Sequence, residues 1–265
     1  MIEQQIIRMV EARRQAVARL PWCDAGLWLG APEGFPLAEE LRLDALLDQA
    51  KTCGIRGGLV SHWLGKTVSP QVGNAALEVA ALPPGCFAVL TGLPLTPGEA
   101  GPLPGSAPPP PWVKGVRIFP RAHEFPLTPW CLRGLCSWLT AHALPLFIWH
   151  TELQWSDLHS VARAFPQLAI VVESQPLKII YHVRALWAVM QECPNISVEI
   201  SNLANGALTW MASHFGSQRF VFGSFLPAND PLVPMGMVID SGLSETDQAL
   251  IAGGNLRRLI GEAAR

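Results

Sequence analysis

From Trp22 to the end of the chain, short apolar runs alternate with stretches in which apolar positions recur every three or four residues. The runs are CDAGLWLG from Cys23, RGGLVSHW from Arg56, CFAVLTGLP from Cys86, VKGVRIFP from Val113, PLFIWH from Pro145, LAIVVES from Leu168, ISVEIS from Ile196 and RFVFGSF from Arg219. Their apolar character is continuous, as expected of strands covered on both faces of a parallel sheet. Strands alternating with helices predict repeated β-α units. Eight of them predict an α/β fold of the (β/α)8 TIM-barrel type rather than an open sheet, and they fit one domain over residues 21–265.

The helical stretches carry their own punctuation. Thr128 and Pro129 stand as N-cap and first-turn residues before a stripe of Leu132, Leu135, Cys136 and Leu139. Ile180, Val183, Trp187 and Met190 form a second stripe, ended by Pro194. Ser244 and Asp247 read as a capping box ahead of Leu250 and Ile251, and Gly253-Gly254 is expected to break that helix. Residues 94–111 are too rich in Pro and Gly for a helix, so a Pro-rich loop is expected in place of one crossover helix. Residues 1–20 mix acids and bases in an amphipathic pattern and predict an extra N-terminal helix outside the barrel.

Composition narrows the classes. With 49% hydrophobic and 15% charged residues, the chain suits a large covered core. A net charge of −2 gives no electrostatic reason to expect nucleic acid or an anionic membrane as partner. The N-terminal stretch has no uninterrupted apolar core, so neither a signal peptide nor a membrane span is expected there. The six Cys include no C-x-x-C pair and read as buried thiols of a reducing compartment, so a cytoplasmic location is expected. GKT at residues 65–67 lacks the upstream Gly of a phosphate loop, and the glycosylation triplet at Asn195 is taken as chance. Ten Trp against one Tyr point first to core filling and second to an aromatic-lined pocket.

The segments RFVFGSFLP, residues 219–227, and AGGNLRRLIG, residues 252–261, resemble the last strand and closing helix of the amidohydrolase-related metal-dependent hydrolases, the family containing aminocarboxymuconate decarboxylase and aromatic acid decarboxylases. FPQLAIVV from Phe165, CPNISVEIS from Cys193 and LPLFIWHT from Leu144 extend the resemblance. It implies metal ligands at four strand ends, and most of those positions have changed. The His-x-His of the first strand falls on Gly26 and Trp28, the His of the sixth on Ser174 and the Asp of the eighth on Phe225, while the fifth-strand His is kept as His150. A single imidazole does not hold a divalent ion at useful affinity, so neither the family metal nor another cofactor is expected.

The candidate site therefore rests on other chemistry. His150 and His62 are the candidate general bases, each weighed against a hydrogen-bonded wall histidine. Arg117, within a strand, is expected either to pair with Glu152, Glu173 or Glu199 or to bind an anionic molecule. Trp28, Trp63, Phe119 and Phe225 would line the pocket, with Glu173 and Ser174 at its edge. Neighbouring strand residues point to opposite faces, which turns Glu173 away from the place of Ser174. His62, His150 and Glu173, with Asp24 and Glu199 deeper, form a weaker substitute metal set. Three readings follow. The first is a divergent amidohydrolase-like barrel, a hydrolase or decarboxylase relative by resemblance, that binds a small acidic or aromatic molecule without metal. The second is an inactive scaffold or interaction protein that dimerises with or regulates an active relative, and the third a metal hydrolase with substitute ligands; a homo-oligomer is left open as a separate expectation. An open mouth with His62, Arg117 and His150 converging favours the first, and a mouth filled by Trp28, Phe225 and the Pro-rich loop the second.

Overall fold

The computed structural model describes residues 2–30, 42–95, 108–204 and 206–262. Helix α1 (Ile2–Arg19) precedes eight parallel strands paired in sequence order: β1 (Asp24–Leu29), β2 (Gly58–His62), β3 (Cys86–Thr91), β4 (Val113–Ile118), β5 (Leu146–Trp149), β6 (Ile170–Glu173), β7 (Ile196–Glu199) and β8 (Phe220–Val221). The ring is closed where Ala25 N donates to Phe222 O at 3.0 Å and Trp28 N to Leu226 O at 2.9 Å, with a parallel bridge between Leu27 and Leu226. The expected (β/α)8 barrel is the observed fold. Between and after the strands come α2 (Leu43–Thr52), α3 (Leu64–Thr67), α4 (Pro70–Ala80), α5 (Pro129–Ala141), α6 (Trp155–Ala164), α7 (Val183–Glu192), α8 (Ala207–Phe215), α9 (Leu232–Ile239), α10 (Glu245–Ala249) and α11 (Asn255–Leu259). Most of the predicted Pro-rich loop, residues 96–107, lies outside the described residues.

Strand periodicity sorts the side chains. Leu46, Val60, Ile118, Leu132, Ile148, Val161, Val172 and Leu186 belong to the large core between the outer faces of the strands and the helices. A separate cluster of Cys23, Ala25, Leu59, Val89, Phe147, Val171 and Val221 fills the lower interior of the barrel, joined by Leu256 and Ile260 from α11 and its end. In β1 the two residues between Asp24 and Leu27 stand against the one residue of β2, Leu59, between Gly58 and Val60. This bulge changes the phase of the strand, so Ala25 and Trp28, three apart, both face inward. Asp24 holds the bulge: its Oδ1 accepts from Gly26 N at 2.8 Å and from Ser224 N at 2.9 Å.

Two helix-end expectations need correction. Gly253-Gly254 does not break the last helix. α10 continues through a wider π-type turn, Leu250–Gly254, into α11. Gly253 is there because a Cβ would lie 2.2 Å from Pro21 O, so glycine serves close approach to the chain entering β1 rather than termination. Thr128 occupies the N-cap position of α5 but makes no side-chain cap, and its hydroxyl has no partner. The Ser244 cap is formed, with Oγ accepting from Asp247 N at 3.1 Å.

Candidate functional site

At the carboxyl ends of the strands the barrel interior holds two further tiers above its apolar floor. The middle tier is polar and buried. Arg117 Nε donates to Glu173 Oε2 at 2.8 Å and Nη2 to Oε1 at 2.6 Å, a two-pronged ion pair across the barrel. Its Nη1 donates to Ser61 Oγ, and Nη2 also reaches Ala25 O at 3.3 Å. The guanidinium lies 4.6 Å below the Trp28 ring centroid and 5.5 Å from that of Phe147, so it is held between an indole and a benzyl face. Of the two expectations for Arg117, the structural pair with Glu173 is the one formed.

Glu199 forms the other half of that tier. Oε1 accepts from Ser201 N at 2.5 Å, while Oε2 accepts from Ser201 Oγ at 3.0 Å, Ser174 N at 3.2 Å and Gln175 Nε2 at 3.4 Å. Gly223 leaves it space, since a Cβ there would lie 2.5 Å from Oε1. Burial, followed by the nearby charge of Glu173, pushes the Glu199 carboxyl up to about 8 despite the donors from Ser201. Burial likewise raises Glu173 against the pull of Arg117, and raises Asp24 to about 6. The tier thus sets the Arg117–Glu173 pair beside a carboxyl, Glu199, whose burial favours its protonated form.

The top tier is aromatic. Trp28, Trp63, Phe119, Trp149 and Phe225 are all buried and form one cluster. Trp28 sits 4.7 Å from Trp63 and 5.4 Å from Trp149, and Phe225 stands edge-on to Trp149 at 5.7 Å. Lys66 Nζ lies 5.5 Å from the ring centroids of Phe119 and Trp149 and 3.4 Å from Glu152 Oε1. The indole nitrogens of Trp63 and Trp149 are buried without a hydrogen-bond partner. Phe225 adopts φ 62°, in the left-handed region that a bulky side chain disfavours and that Asp and Asn tolerate better.

The two candidate histidines do not join Arg117. His62 lies beside Gly30 and accepts from Leu64 N at 3.2 Å through Nδ1, facing a groove of about 700 Å³ between β1, α2 and α4. His150 is buried in the turn His150–Glu152 after β5, where its Nδ1–H donates to Glu173 O at 3.3 Å and its ring lies 5.6 Å from His182. Burial lowers both imidazoles, which favours neutral rings. Glu173 points into the barrel, and Ser174 also serves the interior, its N–H donating to Glu199 and its Oγ accepting from Asn202 N at 2.7 Å. The expectation of opposite faces fails here because Ser174 lies just past the end of β6, where strand alternation stops.

Sequence reasoning missed Trp149, Ser61, Gln175 and Ser201. Trp149 and Ser61 were legible, each two residues beyond an inward neighbour, Phe147 and Leu59. Gln175 and Ser201 follow strand ends, where no periodicity marks them. Gln175 takes the centre of the mouth: Trp28 Nε1 donates to its Oε1 at 3.2 Å.

Several solved structures share this fold. Amidohydrolase 2 from Bifidobacterium longum subsp. infantis aligns with a TM-score of 0.69 at 17% identity, over 92% of this chain and 100% of its own. An amidohydrolase from Burkholderia multivorans aligns at 0.67 and 15%, again over 92% and 100%. The 5-carboxyvanillate decarboxylase from Sphingomonas paucimobilis aligns at 0.64 and 13%, with the same coverage. No family model and no curated protein matches the sequence. At these identities the likeness shows the fold alone, a (β/α)8 barrel.

The residues at the strand ends do not fit the divalent ion that the sequence resemblance implies. Gly26 offers no donor and faces the Gln175 amide, Trp28 and Phe225 present carbon, and Ser174 is committed to Glu199 and Asn202. Among the described residues no three His, Cys, Asp or Glu side chains stand together as a metal-binding group.

Proposed function

We propose that this chain is a non-catalytic barrel of the amidohydrolase type that works by binding protein partners through its outer surface. The carrying observation is the five-ring cluster of Trp28, Trp63, Phe119, Trp149 and Phe225, which occupies the strand ends where such barrels place their chemistry. Beneath it, Arg117 is neutralised by Glu173, so its guanidinium is not free to clamp an anion at the mouth. Neither imidazole bonds the Arg117 guanidinium or the Glu173 carboxylate: His62 accepts from Leu64 N, and His150 donates to the Glu173 main-chain carbonyl. The test uses purified protein with zinc or manganese and a panel of aromatic carboxylic acids, followed by thermal shift and carbon dioxide release. Neither a saturable rise in Tm nor turnover is expected. A saturable response lost in Trp63→Ala would overturn the proposal.

One observation favours a second reading, a small molecule bound at the mouth. The buried indole N–H groups of Trp63 and Trp149 lack acceptors, and an unpartnered buried donor is costly. A molecule carrying a carboxylate or carbonyl oxygen would satisfy them, with Lys66 beside it. Indole N–H resonances of the two Trp, followed by NMR during a benzoate titration, decide this. Movement of both, saturating together, supports the second reading, and unmoved resonances sink it.

A further inference from the structure

The helix α1 is amphipathic along its whole length but is docked along only half of it. At about 100° per residue, Ile6, Val10, Arg13, Val17 and Leu20 fall on one stripe. The C-terminal part meets the barrel: Leu20 is buried, Val17 packs on the main core, and Arg13 Nη1 donates to Asp240 Oδ1 at 2.5 Å at the end of α9. Among the described residues nothing packs on the N-terminal part of this stripe, where Ile6 is 55% and Val10 48% exposed with Met9, 66%, at its edge, while Ile7, 60% exposed, turns to another face. Across a groove of about 1100 Å³ lined by Met9, Val10, Arg13 and Leu232, the start of α9 is also bare, with Leu232 51% and Val233 65% exposed.

Ile6, Met9, Val10, Leu232 and Val233 leave on the order of 500 Å² of exposed apolar surface about this groove, at the upper end of what a monomer shows in one patch. That is more than half of the roughly 800 Å² each partner contributes to a standard interface. The patch pairs a projecting apolar helix end with an adjoining apolar groove, the two halves that a two-fold interface brings together, each copy seating its helix in the groove of the other. We propose that this chain self-associates through α1 and α9 as a two-fold dimer, with the residue 6–10 segment of one copy lying in the α1–α9 groove of the other. The proposal is independent of what happens at the barrel mouth.

Sedimentation velocity between about 1 and 100 µM tests it, with the concentration range set by the affinities of ordinary interfaces. The expected result is a reversible dimer that Ile6→Glu/Val10→Glu weakens at least 100-fold, with Tm unchanged at a concentration where both proteins are monomeric, while Trp210→Glu, on α8, leaves it intact. A wild-type monomer at 100 µM overturns the proposal, as does a dimer that survives the double substitution or is lost in Trp210→Glu. Hydrogen exchange of the wild-type protein adds a readout without substitution. Amides of residues 5–12 should gain protection at high protein concentration, and concentration-independent exchange there overturns the proposal. Binding of the monomer to vesicles of anionic lipid through α1 would also overturn it in favour of a membrane contact.

Discussion

Gly26 and Gln175 meet across the barrel mouth at a distance that leaves no room for a side chain on the first: a Cβ there would lie 2.6 Å from Gln175 Nε2. Gln175 cannot simply swing away, because its Oε1 accepts from Trp28 and its Nε2 donates to Glu199. Gly26→Ala should therefore cost about 1–3 kcal/mol, the usual range for overpacking a tight interior. Gln175→Ala should recover part of that loss in the double variant. Urea unfolding of the four proteins closes the cycle, and strictly additive losses would show that the two residues do not interact.

Phe225 carries opposed demands. Its φ of 62° suits Asp or Asn, whereas its ring is buried against Trp28, Trp63 and Trp149. Relief of the backbone is worth about 1 kcal/mol, while losing a buried benzyl group costs about 3–5 kcal/mol, before any charge is desolvated. Phe225→Asp should thus destabilise by about 3 kcal/mol or more and should gain no stoichiometric zinc. Chemical denaturation and elemental analysis check the two halves separately. A stable, zinc-loaded variant would mean that the mouth still accommodates the ion implied by the sequence resemblance.

What could be read in advance followed from periodicity. Eight apolar runs gave the barrel, because a strand buried on both faces advertises itself in composition alone. Arg117 was legible for a related reason: a guanidinium inside such a run has to find a carboxylate, and Glu173 supplied it. The site was harder. His62 and His150 sit at strand ends like the members of a catalytic pair, yet one faces the outer groove and the other a carbonyl. Direction at a strand end depends on where alternation stops, and one-residue events such as the β1 bulge leave no mark in the sequence. The role of Gln175 was hidden for the same reason, since it lies beyond β6 and acts through contacts with strands distant in the chain.

The Arg117–Glu173 pair invites a test of buried charge. Replacing one member strands the other in a dry interior, which costs about 3–5 kcal/mol. Arg117→Met and Glu173→Gln should each fall in that range by equilibrium unfolding. The double variant Arg117→Met/Glu173→Leu should be closer to wild type than either single change, because it removes both desolvation penalties. If the double variant loses the sum of the two, the pair does not act as a unit and Arg117 earns its burial through Trp28 and Ser61.

Glu199 makes stability depend on pH in an unusual direction for a carboxylate. Its folded value of about 8 stands above the ordinary 4.5, so between these values the folded state holds a proton that the unfolded chain releases. Stability from this group is full below about 4.5 and is lost as pH rises towards about 8, with a slope of up to about 1.4 kcal/mol per pH unit. Asp24, pushed up to about 6 from 3.8, adds the same sign at lower pH and is spent by pH 6. Between pH 6 and 8 the decline should therefore belong mainly to Glu199. Glu199→Gln keeps an oxygen for Ser201 N and carries no titrating proton, so its urea midpoint should be flatter across that interval and should exceed that of wild type at pH 8. A wild-type midpoint that rises from pH 6 to pH 8 would show that Glu199 is ionised in the folded protein, held there by its five donors from Ser174, Gln175 and Ser201.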